Sequence, residues 1–169
     1  TGIAQVFAQF GFAVAQTDVS EAVLVKSRER MRQSLEGLVA KGKLPREEAA
    51  AALGRVRQTV VVEDAAKEAD FVVEAVVEDL EMKKKVFAEW DRICPPQVIL
   101  ATNTSILSPT EIAAVTRRPG QCIGRHFMNP APIMRLVELV PGLLTAAETV
   151  EATKALAGRI GKTPVVARE

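Results

Sequence analysis

The chain has 169 residues, of which 48% are hydrophobic and 25% are charged, values typical of a single globular domain. The net charge of +1 argues against a dedicated nucleic-acid or membrane surface, so we expect neither partner. We also expect no transmembrane segment and no signal peptide, because the apolar runs are short. Cys94 and Cys122 lack the spacing of metal ligands, and we therefore expect free thiols, a reducing cytoplasmic location and no metal site.

The first residues alternate between helix and strand. Apolar residues at helical spacing predict a helix from Gly2 to Phe10 that ends at Gly11. A short strand, Phe12 to Thr17, then places Asp18 at its carboxyl end. Asp18 has two interpretations: it caps the next helix together with Glu21, or it binds the ribose of NAD at the carboxyl edge of a parallel sheet.

A helical hairpin is predicted at about residues 21–54. Its first helix runs from Glu21 to Ala40, with apolar residues on one face and basic residues on the other. Pro45 opens the second helix, Arg46 to Leu53. The hairpin is longer than a crossover between two parallel strands needs, so we expect it to project from the domain.

Buried strands follow the hairpin. The run from Asp70 to Val77 is apolar apart from Glu74, as in a parallel sheet that is covered on both faces, and Glu78 follows it. The strand Val98 to Ala101 leads into Thr102 to Ser105, four polar side chains that form either an ordinary turn or a ring of donors facing a cofactor. The other elements expected in this part are a strand at Gln58–Val62, a helical turn at Asp64–Glu68 and a helix at Leu80–Cys94.

The only histidine lies in the last third of the chain. Strands are predicted at Gln121 to Phe127 and Met134 to Val140, on either side of a proline-containing turn, and antiparallel pairing would place His126 opposite Glu138. A histidine held by a carboxylate can take the proton of an alcohol. The alternative is a core histidine and a surface glutamate. Helices capped by Ser108 and Thr145, the latter running to Ile160, and a strand at Pro164–Ala167 complete the predicted elements.

Strands and helices alternate along the whole chain, and several strands end in polar or acidic residues. This pattern predicts an α/β fold, Rossmann-like and doubly wound, with a mostly parallel sheet. We predict one domain, residues 1–169, with the helical hairpin inserted within it.

Five segments in order along the chain resemble the NAD-binding domain of the 3-hydroxyacyl-CoA dehydrogenases. Lys41 to Leu44 is in addition similar to the short bacterial members, which include 3-hydroxybutyryl-CoA dehydrogenases. The five segments are Gly2 to Gln5, Val73 to Glu78, Thr102 to Ser105, His126 to Pro132 and Leu136 to Glu138.

The resemblance implies NAD as cofactor and oxidation of a (3S)-3-hydroxyacyl-CoA to the 3-oxoacyl-CoA. It implies that His126 is the general base, that Glu138 orients it and that Ser105 binds the substrate oxygen near the nicotinamide. It further assigns cofactor contacts to Asp18, Glu78, Lys83 and Ser105, and substrate contacts to Ser34, Lys41, Ser105 and Asn129.

Two parts of the family pattern have no counterpart in the 169 residues: the first strand with its Gly-x-Gly-x-x-Gly turn, and the helical C-terminal domain that carries most of the dimer interface. We therefore expect a domain truncated at both ends and inactive by itself, and a homodimer in the full-length protein. Two alternatives stay open. One is a non-catalytic NAD-binding relative, like the lens crystallins that resemble this family, and the other is a Rossmann dehydrogenase of a free hydroxy acid.

Overall fold

The computed structural model describes all 169 residues, and the chain divides into two compact units. The first unit comprises Thr1–Ala65 and Asn129–Ile133, and the second comprises Ala66–Met128 and Met134–Glu169. None of the helices combines the length and apolar content that a membrane crossing requires.

The first unit contains a two-stranded parallel sheet and the helical hairpin. Its elements are α1 (Gly2–Gln9), β1 (Val14–Thr17), α2 (Glu21–Ala40), α3 (Arg46–Gly54), β2 (Val56–Thr59) and α4 (Val62–Ala66). Strand β1 pairs with β2, with Val14 opposite Val56. A buried hydrophobic cluster of this unit comprises Ala8, Met31, Leu35, Ala49, Ala52 and Val56.

The predicted bounds of α2 are confirmed, but the predicted role of Asp18 as its cap is wrong. The helix is capped by Ser20, whose hydroxyl accepts the N–H of Val23 at 3.4 Å. Asp18 lies two residues further from the helix, and its carboxylate accepts the N–H of Ser20 at 3.3 Å. Ser20 takes the cap because it immediately precedes the first helical residue and has the extended backbone of an N-cap.

Strand β2 begins and ends earlier than the predicted Gln58–Val62. The hydroxyl of Thr59 accepts the N–H of Val61 at 3.0 Å, a local turn that removes this donor from the sheet. Val62 then starts α4, so the helical turn also begins earlier than predicted. The apolar run of Val60, Val61 and Val62 had suggested a longer strand.

The second unit contains a five-stranded sheet in the order β3-β4-β5-β6-β7, in which only β5 and β6 pair antiparallel. The mostly parallel α/β fold is therefore confirmed. Its elements are β3 (Phe71–Glu74), α5 (Leu80–Ile93), β4 (Ile99–Thr102), α6 (Pro109–Ala113), β5 (Cys122–Phe127), β6 (Leu136–Pro141), α7 (Ala147–Arg159) and β7 (Thr163–Val166).

Two predictions about burial along β3 are wrong: one for Glu74 and one for the valines that follow it. Glu74, expected to be the exception in a buried strand, is 1% exposed, whereas Val76 and Val77 are exposed and lie beyond the strand end. Residues Phe71–Val73 are half-buried. A carboxylate can be buried there because several hydrogen-bond donors from neighbouring elements converge on it, as described below, and donors that are distant in sequence leave no local pattern.

Two helix caps were predicted in this unit. Ser108 caps α6 as expected, since its hydroxyl accepts the N–H of Glu111 at 3.1 Å. The cap predicted at Thr145 is wrong, because α7 starts after Ala146 without a side-chain cap. The hydroxyl of Thr145 instead donates to the carbonyl of Cys122 at 2.7 Å and accepts the N–H of Gly142, so it secures the entry to β5.

Gly124 lies in β5 where the strand passes close to two neighbours. A Cβ at this position would lie 2.9 Å from Pro109 Cγ and 3.0 Å from Val140 Cβ. We expect Gly124→Ala to lower the free energy of unfolding by about 1–3 kcal/mol, measured by urea denaturation, because overpacking forces the neighbours to shift. Gly158→Ala is the matched control, since nothing lies within 4 Å of its Cβ position in α7, and it should stabilise by about 0.5–1 kcal/mol. Equal effects of the two substitutions would contradict the close packing.

Candidate active site

A histidine–glutamate pair lies on the antiparallel strands β5 and β6. The register places His126 opposite Glu138, and His126 Nδ1 lies 3.0 Å from Glu138 Oε2, so the predicted pairing is confirmed. Because an ionised carboxylate can only accept, Nδ1 carries the hydrogen and Nε2 presents a lone pair. Both side chains are partly exposed, at 22% for the histidine and 39% for the glutamate. The hydrogen bond to Glu138 thus favours one tautomer of a ring that is partly accessible to a ligand.

The polar loop after β4 presents Ser105 beside Glu78. Glu78 Oε1 accepts the backbone N–H of Ser105 at 3.0 Å and the hydroxyl of Thr104. Burial raises the pKa of Glu78, but the hydrogen bonds from Thr104 and Ser105 and the positive charge of Lys83 outweigh it, and the pKa lies below its usual value. Glu78 is therefore an anion that fixes the backbone of the loop, and the exposed Ser105 hydroxyl remains available to a ligand.

Asn103 connects this loop to the strand that carries the histidine. Its backbone N–H donates to the carbonyl of Glu74 at 2.7 Å, and its Oδ1 accepts the N–H of Phe127 at 3.0 Å. Phe127 directly follows His126, so the loop and β5 are joined at the residue next to the histidine. The sequence indicated Asn103 only as a member of a polar run at a strand end; its individual role depends on a partner 24 residues away.

The ammonium group of Lys83 lies inside the protein. Its Nζ is 2.8 Å from Glu74 Oε1 and 3.4 Å from Glu78 Oε2, and the side chain is 0% exposed. The cofactor contact expected for Lys83 stays a prediction. In this structure its charge is shared between two carboxylates of the chain.

Four further residues expected in the site belong to the first unit. Asp18 is partly exposed, and its single hydrogen bond from the chain uses Oδ1. Oδ2 is therefore available as an acceptor, which fits a ribose hydroxyl of NAD. Ser34 and Lys41 are exposed in the hairpin, and Asn129 is exposed in the segment Asn129–Ile133. Their contacts with NAD or substrate stay predictions.

The two cysteines are free, as expected from their spacing, and both are buried. Burial raises the pKa of Cys122 to about 11, and it also raises the pKa of Cys94. Thiols with raised pKa values are poor nucleophiles at neutral pH. Neither cysteine is therefore a candidate nucleophile.

A mostly parallel sheet that alternates with helices, with hydroxyls and an amide after the carboxyl end of β4 and a histidine–carboxylate pair on β5 and β6, is typical of a Rossmann-like, dinucleotide-binding α/β domain. Over residues 1–169 the chain matches the family profile described as 3-hydroxyacyl-CoA dehydrogenase, NAD binding domain. The chain belongs to this family, and NAD is the cofactor of the domain.

Named relatives cover nearly the whole chain. A probable 3-hydroxybutyryl-CoA dehydrogenase of Bacillus subtilis is 44% identical over 165 residues, which are 98% of this chain and 57% of that protein. The crystal structure of (S)-3-hydroxybutyryl-CoA dehydrogenase from Ralstonia eutropha has a TM-score of 0.96 at 40% identity, covering 99% of this chain and 59% of the other. A 3-hydroxybutyryl-CoA dehydrogenase structure from Escherichia coli also gives 0.96, at 42% identity, covering 99% of this chain and 35% of the other. This chain thus spans little more than half the length of the Bacillus subtilis relative.

Proposed function

We propose that the gene product oxidises (3S)-3-hydroxyacyl-CoA to 3-oxoacyl-CoA with NAD, and that short acyl chains such as 3-hydroxybutyryl are its substrates. The observation that carries the proposal is the contact of 3.0 Å between His126 Nδ1 and Glu138 Oε2. It leaves one basic nitrogen on a partly exposed imidazole, which is the group that removes a proton from an alcohol. The named relatives support the choice of substrate class.

Residues of this chain accept the proton that leaves the substrate hydroxyl. His126 Nε2 accepts the proton of the substrate 3-hydroxyl as that oxygen becomes a carbonyl. Glu138 holds the ring and stabilises the positive charge that the imidazole acquires. The hydroxyl of Ser105 donates a hydrogen bond to the same substrate oxygen. Bound NAD would supply the acceptor for the hydride that leaves carbon 3.

Binding is assigned to the other site residues. Asp18 would accept hydrogen bonds from the adenosine ribose of NAD, and its negative charge would disfavour the ribose phosphate of NADP. Glu78 and Lys83 would contact the remainder of NAD, and Asn129 would line the substrate pocket. Ser34 and Lys41 in the hairpin would meet the CoA moiety, where a lysine attracts phosphate. We further propose a cytoplasmic homodimer.

The test is NADH oxidation with acetoacetyl-CoA by the full-length gene product, with free acetoacetate and NADPH as comparisons. We expect turnover with acetoacetyl-CoA and NADH and at most weak turnover with free acetoacetate. Turnover of free acetoacetate alone would favour a dehydrogenase of free hydroxy acids, and NADH binding without any turnover would favour a non-catalytic relative. The same assay on the isolated 169-residue chain tests whether these residues suffice, and we expect them to be inactive by themselves.

A further inference from the structure

The buried carboxylate of Glu74 joins three separate elements of the second unit. Its Oε1 accepts the N–H of Val76 at 2.5 Å and lies 2.8 Å from Lys83 Nζ in α5. Its Oε2 accepts the hydroxyl of Thr102, at the end of β4, at 2.6 Å. A carboxylate has acceptor positions for all of these donors, and an amide does not. Glu74 therefore depends on its charge and on both of its oxygens.

From Glu74, two chains of hydrogen bonds and ion pairs lead to the candidate catalytic groups. One passes through Lys83 to Glu78 at 3.4 Å, and from Glu78 to the backbone N–H of Ser105 at 3.0 Å. The other starts at the main-chain carbonyl of Glu74, which accepts the N–H of Asn103 at 2.7 Å, and continues from Asn103 Oδ1 to the N–H of Phe127, the residue after His126. Its first bond does not depend on the Glu74 side chain, so only the first chain runs through the carboxylate.

We propose that Glu74 is a positioning residue for the dehydrogenase reaction: through Lys83 and Glu78 its carboxylate sets the distance between the Ser105 hydroxyl and the imidazole of His126. This inference rests on the proposed function. Glu74 itself touches neither substrate nor cofactor. Both groups must reach the same substrate oxygen, so a displacement of the loop relative to β5 separates donor from base.

The charge balance explains why a carboxylate is needed. The single ammonium of Lys83 lies between Glu74 and Glu78, and the pair formed with Glu74 is fully buried. In a Glu74→Gln variant, Glu78 is the one remaining carboxylate beside the Lys83 ammonium, and the ammonium is drawn towards it because an unpaired buried charge is costly. Glu78 also holds the N–H of Ser105, so the movement reaches the loop.

The test is Glu74→Gln in the full-length gene product, assayed with acetoacetyl-CoA and NADH. We expect kcat to fall about 10- to 100-fold while the KM for acetoacetyl-CoA stays within about three-fold, because the side chain acts on the alignment of reacting groups. In the protein without cofactor, the backbone amide resonance of Ser105 should shift, because Glu78 accepts its N–H. Thr102→Val removes one donor to Glu74 and should give the same pattern with a smaller fall in kcat, which keeps the test available if Glu74→Gln does not fold.

Asp91→Asn is the matched control. Asp91 is another buried carboxylate on α5, where it lies 2.9 Å from Arg117 Nε and 2.7 Å from Arg118 Nε. Burial raises its pKa, but the hydrogen bonds from both arginines outweigh it and the pKa lies below the usual value. The control should lose stability while keeping kcat within about two-fold, because it has no hydrogen bond to the polar loop.

Three outcomes would overturn the positioning role. Unchanged kcat in a folded Glu74→Gln variant would refute the positioning role and leave the proposed function intact. If that variant does not fold, unchanged kcat in Thr102→Val would refute the role in the same way. An equal fall in kcat for Asp91→Asn would show that Glu74 stabilises the fold and has no specific role in positioning. Absence of turnover by the unmodified protein would refute the proposed function and the positioning role together.

Discussion

His126→Gln is expected to lower kcat for acetoacetyl-CoA reduction by about 10²- to 10⁴-fold, because it removes the general acid and base of the reaction. Glutamine is of similar size and can still donate a hydrogen bond to Glu138, so the strands β5 and β6 should stay paired. The KM for NADH should change little, since the imidazole acts on the substrate oxygen. Steady-state kinetics and thermal unfolding of the same preparation measure both effects.

Glu138→Gln separates the two members of the pair. The amide can donate to His126 Nδ1, which would move the ring hydrogen to Nε2 and leave no basic nitrogen for the substrate. We expect a fall in kcat of about 10²-fold or more with little loss of stability, because the glutamate is partly exposed. Wild-type turnover in either variant would refute the assignment of His126 as base. It would indicate that the pair of His126 and Glu138 serves only the packing of the strands.

Lys83→Met is expected to lower the free energy of unfolding by about 3–5 kcal/mol, because it leaves the buried Glu74 carboxylate without its cation. Methionine fills a similar volume, so the loss of charge rather than a cavity dominates. Glu74 would keep its hydrogen bonds from Val76 and Thr102, which limit the loss. Urea denaturation measures the change.

The neighbouring lysine provides the control for this prediction. Lys84 lies on the same helix and pairs at 3.1 Å with Glu81, a side chain that is 73% exposed. Lys84→Met should cost at most about 1 kcal/mol, since exposed ion pairs contribute little. The double substitution Glu74→Gln and Lys83→Met should recover part of the loss, because it leaves no unpaired charge. Comparable losses for Lys83→Met and Lys84→Met would show that the buried pair does not stabilise the fold.

The Lys83→Met variant also tests whether Lys83 binds the cofactor, through the KM for NADH. If Lys83 contacts NAD as the family resemblance implies, Lys83→Met raises the KM for NADH. If its charge serves only Glu74 and Glu78, the KM stays near the wild-type value in the variant that folds. A rise in KM without loss of stability would contradict the buried ion pair as the main role of this lysine.

Local sequence patterns are sufficient to predict much of the fold. The bounds of α2 follow from apolar spacing, and the start of α6 follows from the sequence Ser108-Pro109 with Glu111 nearby. The contact of His126 with Glu138 could also be predicted, because the two strands are consecutive in the chain and antiparallel pairing about the proline-containing segment between them sets their register. In each case the interacting residues are close in sequence, so their pattern contains the information.

The sequence by itself therefore determined the fold class, the family and the histidine–carboxylate pair. Only the tertiary structure decided that Glu74 is the buried residue of β3, that Lys83 is enclosed between two carboxylates and that Asn103 joins the polar loop to β5. The physical reason is that a carboxylate is buried only where hydrogen-bond donors contact it. Here those donors come from α5 and β4, at separations of 9 and 28 residues, which no local pattern records.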